Sequence, residues 1–139
     1  MAADWYIQSG IRARNQGAPA QARIFFDRAL ALLPSDKCPL LAAPDVARRW
    51  QALAGRDEVL GILGDTEARM ADDVALVALA ESVGNDNLVA EAYYRQGRYL
   101  GVRGQYPQER EAYTRGLAAA MRAHDRRREA LILGLKVTC

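Results

Sequence analysis

Along residues 91–125, EAYYRQGRYLGVRGQYPQEREAYTRGLAAAMRAHD, small and apolar positions recur at the spacing of one helix face, break off, and resume. Ala92, Tyr93, Gly97, Leu100 and Gly101 precede the turn signal Gly104–Pro107; Ala112, Tyr113, Gly116, Leu117 and Ala120 follow it. The pattern predicts two antiparallel helices, with small residues where another helix can approach closely. One hairpin of this kind cannot bury its apolar face alone, so neighbours must stack on it.

The same spacing opens the chain. Tyr6, Gly10, Ala13 and Gly17 repeat the intervals of Tyr93, Gly97, Leu100 and Gly104, and Ala22, Phe26, Ala29 and Pro34 come after them. Helices are predicted over 3–15 and 19–33, with Pro19 in a first turn and Pro34 as a stop. The segment PSDKCPLLAAPD (34–45) then breaks the rhythm with three prolines and reads as an inserted connector, in which Leu40–Ala43 suit a short helical turn. Asp45 reads as an N-cap. Val46, Trp50, Leu53, Leu60 and Leu63 carry one face on to Gly64, with a kink or split expected at Gly55–Asp57. A return helix over 66–83 is expected to bury Ala71, Val74, Ala75, Ala78 and Leu79. Leu60–Asp65 matches Leu100–Gln105 forty positions on, and Gly84-Asn85-Asp86 matches Ala123-His124-Asp125. A last helix over 126–139 carries Ala130, Leu131, Leu133, Leu135 and Val137.

The residues Tyr6–Pro34 and Glu91–Asp125 resemble the tetratricopeptide repeat, a helix-turn-helix unit of about 34 residues. In the second stretch Glu109 and Gly116 stand where that family prefers alanines. The longer spacing over 45–139, with turns of the Gly-Asn-Asp and Ala-His-Asp kind, is similar to the helical arrays of large bacterial signalling ATPases and LuxR-type regulators. The resemblance implies an all-α fold, a right-handed α-solenoid of about three repeats plus a terminal helix. It would form a single domain over 1–139: repeat one 3–34, connector 35–44, repeat two 45–84, repeat three 86–124, terminal helix 126–139. An exposed apolar face on the last helix implies a cap, a truncated array, or self-association through 127–139 as a homodimer.

Composition agrees with closely packed helices. The 139 residues are 50% hydrophobic but only 7% aromatic, and strand-like alternation is absent. A formal charge of +2 gives no general pull toward nucleic acid or anionic lipid. Cys38 and Cys139 are far apart, with no metal-ligand spacing and no disulfide framework, which suits a reducing cytoplasm. Asp4 and Gly10-Ile11-Arg12 interrupt any leader-like run, and no 18 apolar residues occur together, so neither a signal peptide nor a membrane span is expected.

Candidate chemistry is sparse. His124 is the only histidine, in a predicted turn among arginines, and a lone histidine makes no metal site. Asp72 and Asp73 are adjacent, point in different directions on a helix, and read as a solvated face. The terminal thiol of Cys139 is an improbable nucleophile. The Arg122–Arg128 cluster is interrupted by Asp125 and lacks the interleaved aromatics of a nucleic-acid surface. No enzyme activity, cofactor or metal is expected, and no G-x-x-x-x-G-K-[ST] motif occurs.

Repeat arrays bind partners in the concave groove lined by the first helix of each repeat. The positions assigned to it are Ile7, Ile11 and Arg14 in repeat one, and Glu91, Tyr94, Arg95 and Arg98 in repeat three. Tyr and Arg are frequent sources of binding energy, and Arg95 with Arg98 suit one carboxylate. Ile7 and Ile11 replace the polar residues with which some members of the family clamp chaperone tails. The expected function is a protein-interaction scaffold that takes a peptide or amphipathic helix. The alternative is a piece of the sensor array of a bacterial signalling ATPase or transcriptional regulator.

Overall fold

A computed structural model describes residues 2–33 and 43–138, so most of the proline-rich connector, with Cys38, lies outside the described residues, as does Cys139. Every element among the described residues is a helix: α1 (Ala2–Asn15), α2 (Pro19–Leu32), α3 (Ala43–Leu63), α4 (Thr66–Val83), α5 (Asp86–Val102), α6 (Tyr106–Arg122) and α7 (Arg126–Thr138). The protein is all-α. Where the sequence suggested one domain, the chain divides into two compact units, 1–76 and 77–139, with the division inside α4.

One turn design joins consecutive helices at the five junctions that lie within the described residues. Gly17, Gly64, Gly84 and Gly104 adopt φ between +68° and +77°, and His124 takes the same place after α6 with φ +57°. The following residue reaches back to the helix it has left: Ala18 N donates to Ala13 O, Asp65 to Leu60, Asn85 to Ala80, Gln105 to Leu100 and Asp125 to Ala120. This closure satisfies terminal carbonyls and needs a left-handed residue, which glycine supplies without a Cβ clash. Asp65, Asn85 and Asp125 then cap the next helix through their side-chain oxygens. The Gly-Asn-Asp phrase thus ends one helix and starts another. Asp45 does not cap α3; it lies in its first turn and accepts from Arg48 at 3.2 Å.

In the first unit the core runs through Ala13, Ala22, Phe26 and Val59, with Ile7, Ala29 and Ala52 beside it. Phe26 sits between two glycines. A Cβ built on Gly10 of α1 would lie 2.8 Å from the ring, and one on Gly55 of α3 would lie 2.5 Å from it. Gly55 therefore does not split α3, which runs on through it; it supplies the flat backbone on which the ring lies.

The α3–α4 hairpin departs from the expected packing. Ala71, Val74 and Ala78 face outward, while Asp72 and Asp73 are 2% and 0% exposed and Asp57 is 1% exposed. The carboxylate pair is not a solvated face. Buried carboxylates persist only where cations or hydrogen bonds meet them, and α3 supplies a cation at Arg56. Its guanidinium forks onto Asp72 at 2.8 and 2.6 Å and reaches Asp27 of α2 at 3.0 Å. From α4, Arg69 lies 3.6 Å from Asp57 of α3. Burial pushes the Asp72 carboxyl above its ordinary value, against the opposing pull of Arg56. Sixteen positions separate Gly10 from Phe26 and Gly97 from Tyr113; the same interval in this hairpin separates Asp57 from Asp73. Where the other two hairpins place a glycine–aromatic contact, this one places buried charge.

The second unit restores the apolar rule. A Cβ on Gly97 would overlap the Tyr113 ring, and one on Gly116 would lie 3.2 Å from Tyr93 and 3.3 Å from Ile132 of α7. Glu109 is buried beside Gly101, whose missing side chain leaves room for its carboxylate. It stands in the first turn of α6, where free backbone amides favour negative charge. Tyr93 donates from its hydroxyl to Glu81 at 2.7 Å, tying the end of α4 to α5.

Burial, followed by that bond, raises the Tyr93 phenol above its ordinary value near 10. A phenol raised on folding contributes stability that is complete below pH 10 and lost as pH climbs through the raised value. Tyr93→Phe is expected to cost about 1 kcal/mol at pH 7 and to remove that part of the alkaline loss. Urea titrations at pH 7 and above pH 10 check both, and parallel losses for wild type and variant would refute the second.

Candidate functional site

The seven expected groove positions do not form one set. Ile7 has no exposed surface; it packs with Ala29 and Ala52 in the first unit and is not available to a partner. Ile11 is half-buried against the same core, and Arg14 bonds Glu58 of α3. The first-helix face assigned to repeat one is therefore largely interior.

The α5 residues of the second unit differ in their charge partners. Arg95 does not share a carboxylate with Arg98, because it faces Glu91 one turn back at 3.7 Å, and Glu91 is also 4.0 Å from Arg128 of α7. Those charges are matched internally. Arg98 is exposed, faces no carboxylate among the described residues, and places its guanidinium 5.9 Å from the Tyr94 ring centroid. Tyr94 is held in turn by Tyr113, with ring centroids 6.4 Å apart. One turn beyond Arg98, Val102 is 85% exposed. Tyr94, Arg98 and Val102 stand at i, i+4 and i+8, so they form one open stripe of aromatic, cationic and aliphatic surface.

The charge cluster at the α6–α7 turn is less concentrated than its sequence suggests. Arg122 meets Asp86 at 3.1 Å and Arg128 meets Asp125 at 3.0 Å, so two of its cations have carboxylate partners. His124 is exposed in the turn itself. Of the expected self-association face, Ile132 is fully buried and Leu131 and Leu133 are about half exposed; the side chains of Leu135 and Val137 lie outside the described set. Among the described residues no group of three His, Cys, Asp or Glu side chains is placed to hold a metal ion, and no helix is long and apolar enough to cross a membrane.

The first unit presents a surface that the groove assignment passed over. Trp5 of α1 is 61% exposed, yet it is fixed by edge contacts to Tyr6 and to Phe25 of α2, at centroid distances of 5.2 and 5.9 Å. Trp5, Ser9, Arg12 and Gln16 stand at i, i+4, i+7 and i+11, a helical stripe that was readable from the sequence. Compared with known proteins, the chain matches no protein-family model, no curated protein and no solved structure.

Proposed function

We propose that this protein is an interaction module of tetratricopeptide-like hairpins that binds an apolar–acidic peptide or helix through the open face of α5. The right-handed solenoid is part of the same proposal, as is the absence of a catalytic role. One observation carries the reading: the stripe Tyr94–Arg98–Val102 joins an anchored aromatic ring to a guanidinium that faces no carboxylate among the described residues and to an exposed aliphatic side chain. Tyrosine and arginine dominate binding energy at interfaces, since each buries much surface for the freedom it loses. A partner fits with a carboxylate on Arg98 and apolar groups on Tyr94 and Val102, the arrangement of one face of an amphipathic helix.

Selection from a displayed peptide library on the immobilised protein tests this. Enriched peptides should pair Asp or Glu with Leu, Ile or Phe at helical spacing. Arg98→Glu should weaken them at least tenfold, about 1.4 kcal/mol, with circular dichroism unchanged because Arg98 is exposed. Enriched peptides indifferent to Arg98→Glu would place the partner surface elsewhere.

A further inference from the structure

The depression between α1 and α2 in the first unit has the make-up of a small ligand site. Its volume is about 220 Å³, below the roughly 300–1,000 Å³ of ordinary ligand pockets, which limits an occupant to a single small molecule. Trp5 and Phe25 form an aromatic wall whose rings are held nearly perpendicular, with an interplanar angle of 88°. Gln16 and Gln21 line it with neutral amides, and among the described residues Arg12 is its one charged lining residue. Arg14, Arg23, Arg48 and Arg56 of the same unit each face a carboxylate. Arg12, exposed, faces none among the described residues.

We propose that this depression binds a small aromatic carboxylic acid, its ring against Trp5 and Phe25 and its carboxylate on Arg12. The charge sign follows from the lining: a cation would meet Arg12 with no acid to offset it, and a neutral ligand would leave the guanidinium unmatched. The ring class follows from the wall, since aromatic side chains at right angles accept a third ring edge-on or face-on. The guanidinium fork matches both carboxylate oxygens at once. The site lies in the first unit and does not depend on the α5 reading.

The test uses the full chain, labelled with ¹⁵N, and three probes that share a ring: hydrocinnamate, hydrocinnamamide and phenethylamine. The two tryptophans give resolved indole N–H signals, and Trp50 of α3 serves as an internal control. Hydrocinnamate should shift the Trp5 signal saturably and leave Trp50 in place, binding at least fivefold tighter than the amide; the amine should bind weakest. Arg12→Gln, an exposed change that leaves the fold intact, should erase the preference for the acid. Trp5→Leu should abolish saturable shifts elsewhere in α1 and α2. Equal shifts from acid, amide and amine, or shifts of both indoles together, would overturn the assignment. Much tighter binding of a peptide ending in phenylalanine than of the free acid would also overturn it, in favour of a chain terminus as occupant.

Discussion

Phe26→Ala should cost about 3–5 kcal/mol, toward the upper end of that range for an aromatic core truncation. The ring is fully buried and lies on Gly10 and Gly55, which have no side chains to move into the space it vacates. The cost of a cavity depends on how far its walls collapse, and backbone walls in two helices collapse little. A domain of this size carries only about 5–15 kcal/mol of stability, so the loss is a large share of the total. Both tryptophans, Trp5 and Trp50, lie in the first unit, so tryptophan fluorescence follows that unit alone. The fluorescence transition in urea should move to markedly lower denaturant. A shift worth less than about 1 kcal/mol would mean that the glycines do not fix the ring.

The second large effect concerns the buried charge of the α3–α4 hairpin. Arg56→Ala leaves Asp72, 4% exposed at its side chain, without the guanidinium that forks onto it. Removing one partner of a buried pair costs about 3–5 kcal/mol, and the quarter exposure of Arg56 places this case near 3. The sign with pH follows from what remains. Burial already raises the Asp72 carboxyl; without Arg56 the effects that lower it are gone, while burial, Asp57 and Asp27 still raise it. A carboxyl raised on folding contributes stability that is complete below its unfolded value near 3.8 and lost as pH rises through the folded value. The deficit of Arg56→Ala should therefore be smallest near pH 4 and grow toward pH 7. The double variant Arg56→Met, Asp72→Leu should recover most of it, because an apolar pair of similar volume carries no desolvation cost. A double variant as unstable as the single one would show that Arg56 acts through Asp27 or through packing. Denaturant titrations of all three proteins at both pH values decide this.

The helices and their turns were legible because they rest on local signals. Periodicity set the faces, and Gly17, Gly64, Gly84 and Gly104 marked the left-handed turns; the elements fall within a residue or two of their expected bounds. What stayed hidden depends on partners distant in sequence. Asp72 and Asp73 read as solvated because carboxylates prefer water, and only the fold brings Arg56, sixteen positions earlier, onto one of them. Ala71, Val74 and Ala78 lie outward on that helix, while Leu76, Leu79 and Ala80 share the buried face with the two carboxylates. Gly55 read as a breaker because its use is a contact with Phe26, 29 positions away.

The candidate site divides in the same way. Ile7 was misplaced although the sequence held the correction: it stands three residues before Gly10 and so shares that buried face. Arg95 and Arg98 looked equivalent in sequence, and only Glu91 and Arg128 distinguish the matched cation from the open one. Trp5 and Arg12 belong to a stripe beside the Tyr6–Gly10–Ala13 face, and the repeat spacing that marks that face carries no signal for its neighbour.

The claim that α5 presents a partner surface is tested most directly by reversing charge on both sides of it. Isothermal titration calorimetry would pair wild type and Arg98→Glu with a selected acidic peptide and with the same peptide carrying lysine at its acidic position. Wild type should prefer the acidic peptide, Arg98→Glu should prefer the lysine peptide, and each mismatched pair should be weaker by at least tenfold. If the lysine peptide binds Arg98→Glu no better than it binds wild type, Arg98 does not meet the partner's carboxylate, and the assignment of this surface is wrong.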